Sequence, residues 1–321
     1  MVKKRKRVGS RANGQTKSNV LTTVRSFLSA LPAPEQERFL PERLLGSGGI
    51  GEVYSALDLR RVEWGDADPK VAIKRLKPEY AENVQARLAL AQEFCVLRHL
   101  IHPGVVRVFD LHKEPYGICF SMELLKGHTV QDALLEQPAG LVNARAIGTC
   151  LFETLHYLHS HGVVHGDVKP SNIFLGSNAR VVLFDFNVAT ATAKAGAATS
   201  PITRGLRESL KLPSFSMRYA SPERLSGGEP SAADDIFAAC CTVYEAASGA
   251  HPFGRLTALQ AQAKNIRPEQ LVGLTQRQWQ SLHSGMAFDS SKRPQADALL
   301  RELSRSSMLG GLQHRLHWVF N

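Results

Sequence analysis

Within the run HGDVKPSN, Asp167, Lys169 and Asn172 stand at offsets zero, two and five. A carboxylate, an ammonium and an amide so spaced could orient a hydroxyl, hold a phosphate and ligate a metal ion. The same letters could equally form a polar surface turn, so the run gains meaning only from partners elsewhere. Three other places offer them. Gly46, Gly48 and Gly51 in GSGGIGEV let the backbone approach phosphate oxygens and offer them N–H groups. Lys74 ends the strand-like VAIK, and Glu93 in the next apolar segment can supply its counter-charge. Asp185 closes the apolar run VVLFD, where a carboxylate costs desolvation unless it is paired or binds a metal. Asp185 and Asn172 together make the small oxygen set that magnesium accepts alongside phosphates and water. Taken singly, the glycines suit an ordinary hairpin and Lys74 a surface strand lysine.

The elements that must position these groups follow from the hydrophobic pattern. FLPERLLGSGGIGEVYSALDL reads strand, glycine turn, strand, with no helix directly after the glycines. That favours a lid over a nucleotide rather than a strand-to-helix phosphate site. KVAIKRL is a short branched strand. NVQARLALAQEFCVLRHL is helical, with Leu90, Phe94, Leu97 and Leu100 on one face. VVRVFDLH and GICFSME form a strand pair around Pro115 and Tyr116. Leu141 to His161 is a long helix, capped by Asn143 and ended by Gly162, with Ile147, Leu151, Leu155 and Leu158 as its apolar stripe. NIFL and RVVLFD bracket a Gly-Ser-Asn turn. Residues 189–218 read as a mobile loop. DDIFAACCTVYEAAS is apolar nearly all round, as a buried helix is. Two or three helices follow between Ile266 and Arg305. The expected architecture is a small β-rich lobe with one helix, then a larger helical lobe.

In order along the chain stand GSGGIGEV, VAIK, Glu93, HGDVKPSN, DFN, SPE at Ser221–Glu223, DDIF at Asp234–Phe237 and KRP at Lys292–Pro294. This ordered set resembles the eukaryotic-type (Hanks-type) serine/threonine protein kinase domain over residues 39–305. The resemblance implies an α+β, two-lobed protein kinase-like fold, with an N-lobe over 39–122, a hinge over 123–126 and a C-lobe over 127–305. It implies transfer of the γ-phosphate of ATP, with Mg2+, to a protein Ser/Thr hydroxyl. Gly46, Ser47, Gly48, Gly49 and Gly51 would cover the ATP phosphates. Lys74 would hold the α- and β-phosphates and pair with Glu93. Asp167 would take the proton of the acceptor hydroxyl, Lys169 would meet the γ-phosphate, and Asn172 and Asp185 would hold magnesium. Met122 would back the adenine pocket, Glu123 to Leu125 would offer hinge hydrogen bonds, and Val53, Ala72 and Phe174 would sandwich the purine. Glu223 and Arg293 would form a buried structural pair, and Asp235 would brace the catalytic loop. Lys169 and Ser216 resemble the serine/threonine branch rather than the tyrosine branch.

Two positions depart from the family pattern. Gly166 precedes Asp167 where many relatives have Arg, which removes the usual docking partner of an activation-loop phosphate. Asn187 replaces a Gly that lets the metal-binding loop flip, and Asn is the best non-Gly occupant of left-handed backbone. An alternative reading follows: a pseudokinase or weakly active scaffold that binds ATP and tethers partners.

Composition bounds the rest. The 321 residues, 43% of them hydrophobic, suit a globular chain. Seven of the formal +10 charges lie in residues 1–18, which hold no acid. That basic arm reads as disordered, and either solubilises the chain or contacts nucleic acid or another acidic partner. Residues 19–38 form a lead-in with a weak helix at 20–31, and 306–321 a tail that docks or binds a partner. No apolar h-region follows the arm and no 18-residue apolar run occurs, so neither a secretory signal nor a membrane span is expected. Five cysteines without a C-x-x-C pair point to reduced thiols in the cytoplasm, with a nuclear site for KKRKR in a eukaryotic host. His156 and His159 are expected on a helix surface and its edge rather than on zinc. His165 is expected to pack and position the catalytic loop, and Cys240 and Cys241 to be core. Substrate and oligomeric state are not encoded legibly.

Overall fold

The computed structural model describes residues 37–115, 117–136, 140–177, 180–186, 189–191 and 216–305. The expected arm, the 20–31 helix, Asn187, most of the 189–218 loop and the tail lie outside them.

Strands β1 (Phe39–Ser47) and β2 (Gly51–Asp58) pair antiparallel, and the Gly48 N–H donates to the Gly51 carbonyl (2.8 Å) within the turn. The second strand stops at Asp58, before Leu59, because the Asp58 carboxylate caps a short helix α1 (Leu59–Glu63) through the Arg60 N–H (3.2 Å). Strand β3 (Lys70–Leu76), helix α2 (Val84–Leu97), and strands β4 (Val108–Glu114) and β5 (Gly117–Met122) complete the lobe. Asn83 caps α2 through the Gln85 and Ala86 N–H groups. Leu100 lies beyond the helix end, yet is buried in the same core as Leu90, Phe94 and Leu97.

The sheet order is β1-β2-β3-β5-β4, antiparallel throughout. Strand alternation divides β3 between two faces. Val71 and Ile73 join Phe39, Ala56 and Cys119 in one small cluster. Leu76 joins Phe120 and the α2 side chains in the main core. Phe39 and His112 belong to opposite edge strands, yet their rings meet edge-on at 4.7 Å. The sheet therefore curls around the smaller cluster.

The second lobe contains β6 (Gly127–Thr129), α3 (Val130–Glu136), α4 (Gly140–Ser160), β7 (Val163–Val164), β8 (Ile173–Gly176), β9 (Val181–Leu183) and β10 (Thr190–Ala191), then α5 (Pro222–Leu225), α6 (Ala232–Ser248), α7 (Ala258–Ala263), α8 (Gln276–Gly285) and α9 (Ala296–Ser304). Strands β6, β8 and β9 form one small sheet, and β7 pairs with β10. Helix α4 starts at Gly140, so Asn143 sits inside its first turn and is not the cap. Its other end behaves as expected: Gly162 follows it at φ +71, the left-handed conformation that glycine adopts freely. Its stripe of Ile147, Leu151, Leu155 and Leu158 is fully buried, as is the middle of α6, including Cys240 and Cys241. Among the described residues after Ile266 there are two α-helices, α8 and α9, with a 3-10 turn at Ser290–Lys292 between them.

Arg293 is completely buried beneath the Phe237 ring and donates to Glu223 (2.7 Å) and to the carbonyls of Ala287, Ala233 and Phe288. The expected Glu223–Arg293 pair is thus made, but only its arginine is buried; Glu223 retains 36% exposure.

Two buried histidines predict acid sensitivity. Burial holds His112 and His251 each at a pKa of about 4, with nearby Arg38 and Arg218 respectively adding to the effect. Both lie below the unfolded value near 6.5, so the unfolded chain binds more protons between those limits. Stability is full above pH 6.5 and falls as pH drops from 6.5 towards 4, by on the order of 2–3 kcal/mol per histidine. Denaturant titrations of wild type and His112→Phe across that window check this: the variant should lose less stability on acidification.

Candidate active site

Strand β3 presents Lys74 on the face towards α2, and α2 returns Glu93 one turn before its end. Lys74 Nζ lies 2.7 Å from Glu93 Oε1 and 2.8 Å from Asp185 Oδ1. Burial alone would lower the Lys74 pKa and raise that of Asp185. The mutual attraction wins: Lys74 is held above the usual lysine range and Asp185 below the usual carboxylate range. Asp185 has φ +65, left-handed for a residue with a Cβ. Aspartate tolerates this better than most side chains, and the bond to Lys74 holds it there. Phe186 follows, buried, with its ring edge-on to His165 at 4.7 Å.

The HGDVKPSN run forms the turn after β7. Lys169 Nζ donates to Asp167 Oδ2 (2.6 Å) and Ser216 Oγ (2.7 Å), while the Ser216 N–H donates to Asp167 Oδ1 (2.8 Å). Asn172 turns its amide nitrogen onto the Asp167 carbonyl (2.9 Å), leaving the amide oxygen as its donor for a hard cation. The Phe184 N–H donates to the Asn172 carbonyl (3.1 Å), which ties the run to Asp185 one residue later.

Asp235, from the buried α6, holds the run from beneath. Its carboxylate accepts the His165 N–H (2.9 Å), the Gly166 N–H (2.8 Å) and a contact from His159 Nε2 (2.9 Å). His159 is therefore half-buried and bound to Asp235, which corrects its expected place on the helix edge; His156 is exposed. Gly166 has φ +79, a conformation that a side chain would strain by about 1 kcal/mol or more. His165 is fully buried, bonds the Phe184 carbonyl through Nε2 (3.1 Å) and accepts the Asp167 N–H (3.2 Å), as a positioning residue would.

On the nucleotide side, Val53 stands opposite Lys74 and Ala72 opposite Met122 in the sheet register. Phe174 lies in β8 opposite Val182, half-buried against the main core. Gly46 and Ser47 end β1, Gly48 and Gly49 make the turn, and Gly51 opens β2. A Cβ on Gly51 would come within 3.1 Å of the Arg75 carbonyl and 3.6 Å of Lys74 Cε. Leu125 is half-buried against the main core. The Glu123 side chain has a role that its sequence gave no sign of. It accepts the Arg107 N–H (2.9 Å) and pairs with Arg180 (2.8 and 3.1 Å), which also donates to the Pro103 carbonyl. That brace joins residues far apart in the chain, so no local motif announces it.

Residues 39–308 match the model of the family described as protein kinase domain. The chain belongs to that family. The kinase domain has relatives among bacterial proteins. It is 30% identical over 281 residues to the serine/threonine-protein kinase PkaA of Streptomyces coelicolor, covering 84% of this chain and 50% of the relative. It is 32% identical over 213 residues to the serine/threonine-protein kinase PknD of Mycobacterium tuberculosis, covering 66% and 30%. It is 29% identical over 230 residues to the serine/threonine-protein kinase PknB of Mycolicibacterium smegmatis, covering 69% and 34%. The alignments thus take in half or less of each relative's length. Among the described residues, no helix of the kinase domain is long and apolar enough to cross a membrane.

Proposed function

We propose that this chain is a serine/threonine protein kinase that transfers the γ-phosphate of ATP to a protein hydroxyl. The single observation that carries the reading is the pairing of two assembled clusters: Lys74 between Glu93 and Asp185, and Asp167 between Lys169 and Ser216. A scaffold would need neither geometry. Asp167 accepts the proton of the attacking hydroxyl and orients it, which is the part a general base plays. Lys169 reaches from that carboxylate towards the γ-phosphate, and its bond to Ser216 supports the serine/threonine preference. Lys74 steadies the α- and β-phosphates beneath the glycine turn, and Glu93 keeps it there. The adenine lies between Val53, Ala72 and Phe174, against Met122, with the backbone of Glu123 and Leu125 along its edge.

Asn172 and Asp185 fit a magnesium ion: one amide oxygen and one carboxylate suit a hard cation that completes its shell with phosphate and water. Bound there, the ion would neutralise charge on the β- and γ-phosphates. We place the kinase in the cytoplasm, where ATP and reduced cysteines such as the buried Cys240 and Cys241 are found together. The basic arm, residues 1–18, is the part suited to an acidic partner or nucleic acid.

The test is transfer of label from γ-labelled Mg-ATP to the protein itself and to a generic basic protein, followed by phosphoamino-acid analysis. Phosphoserine or phosphothreonine is expected. Nucleotide binding without transfer would overturn the reading in favour of a scaffold.

Gly166 adds a second expectation. With no arginine beside Asp167, an activation-loop phosphate lacks its usual cationic partner, and the glycine relaxes a left-handed backbone instead. Replacing Thr190, Thr192, Thr199, Ser200, Thr203, Ser209 and Ser214 together should therefore leave transfer within about threefold of wild type. Complete loss would show that a loop phosphate is required.

A further inference from the structure

We infer that Arg218 shields Glu245 from the substrate and turns the acceptor platform towards acidic peptides. This rests on the phosphotransfer reading above. The segment from Ser216 to Tyr219 is fastened at both ends. Ser216 holds the Asp167 carboxylate through its N–H (2.8 Å), and the Tyr219 hydroxyl donates to Glu245 Oε2 (2.6 Å). The Tyr219 ring also packs edge-on against the buried His251 at 5.3 Å. Between these anchors, Met217 and Arg218 project into solvent, Met217 with 62% and the Arg218 side chain with 48% exposure.

Arg218 lies two residues from the group that touches the catalytic carboxylate, so its Cα is within about 7–8 Å of that of Ser216. A peptide residue advances about 3.3 Å in extended form. A substrate that presents its hydroxyl to Asp167 thus carries residues within about three positions of that hydroxyl past Arg218.

Beyond Asp167 itself, Asp234 and Asp235 of α6 are buried and bonded within the lobe. The acid beneath this segment is Glu245 of the same helix, and it is already engaged. One of its oxygens takes the Tyr219 hydroxyl and the other takes Arg218 Nη2 at 3.1 Å. Its side chain is only 12% exposed. A substrate arginine could pair with it only by displacing Arg218. The guanidinium carries five N–H donors, and one serves Glu245. The remainder, on the exposed side, suit the carboxylate of an Asp or Glu, which a planar fork binds well.

The experiment measures kcat/KM of the full chain on three peptides that share one acceptor serine and differ only in neutral, acidic or basic residues at the flanking three positions. Wild type is expected to favour the acidic peptide over the basic one by about two- to fivefold, the range of a half-exposed charge pair. In Arg218→Ala the acidic preference should vanish and the basic peptide should overtake it, because Glu245 is uncovered. Arg218→Glu should invert the preference outright. Ratios between peptides do not depend on the folded fraction, and the neutral peptide reports the common rate. Transfer to the neutral peptide with the same acid-to-base ratio in all three proteins would overturn the inference while leaving the kinase reading intact. No transfer to any peptide by wild type would overturn both.

Discussion

Replacement of Asp167 by Asn is expected to lower phosphate transfer by roughly 10²- to 10⁴-fold, the usual contribution of a positioned general base. The amide matches the carboxylate in shape but cannot accept the hydroxyl proton. It also removes the ionic partner of Lys169, whose Nζ lies 2.6 Å from Asp167 Oδ2. The fold should tolerate the change, because the amide oxygen can still accept from Lys169 and Asn172, although its NH2 then faces the Ser216 N–H and that one bond is lost. The measurement is single-turnover transfer beside a thermal melt with and without Mg-ATP. A variant that keeps its nucleotide-induced stabilisation and loses transfer fits the assigned role. Transfer within tenfold of wild type would move the base elsewhere.

Lys74→Met should damage both stability and transfer. Methionine fills the space but leaves two carboxylates without their shared cation. Glu93 has 4% side-chain exposure and Asp185 has 29%, so the penalty falls mainly on Glu93. Removing one partner of a buried ion pair typically destabilises by about 3–5 kcal/mol, and about 10 °C in melting temperature follows for a domain of this size. Acid should narrow the difference. In wild type the folded Asp185 sits below the ordinary carboxylate range, so its contribution is present above about pH 4 and is lost as pH falls through the lower folded value. In the variant, burial without the Lys74 cation raises both carboxyls from their wild-type values, so protonation on acidification costs the folded form less. Melts of both proteins between pH 7 and 4 should converge; a constant gap would mean that the pair is not what holds Lys74.

Much of this site is visible in the residues alone, because its chemistry sits in short runs whose spacing is set by one turn or one strand. Asp167, Lys169 and Asn172 share a loop, and Asp185 follows a strand that burial makes recognisable, although the strand stops at Leu183, two residues before it. Lys74 and Glu93 are linked in the sequence by charge need rather than by distance, and the structure brings them together. What stayed hidden depends on contacts between distant segments. His159 reads as a surface histidine because the three residues that follow are polar or small, yet Asp235 lies 76 positions away and bonds it. Arg180 gives no sign of reaching Glu123 and Pro103. The start expected for α4 at Leu141 lies one residue from the observed Gly140, but Asn143 looks like a cap wherever it stands and in fact sits inside the first turn. Short capping signals compete with one another, and packing decides which is used.

The end of α9 is gripped rather than left to fray. Arg145 of α4 donates to the carbonyls of Leu303 (2.7 Å) and Arg305 (2.6 Å), and Gln278 of α8 donates to those of Glu302 and Arg305. These bonds answer the orphan carbonyls that a helix end exposes. They also define a mechanical route. Tension applied at Arg305 enters the domain at both Arg145 and Gln278, and Arg145 stands on the same rigid helix that carries His159 fourteen residues later, about 21 Å along its axis. From His159 the next link is Asp235, which holds the backbone of His165 and Gly166. Whatever pulls at that anchor therefore pulls, by one of its two grips, along a helical strut whose far end is pinned beneath the HGDVKPSN loop.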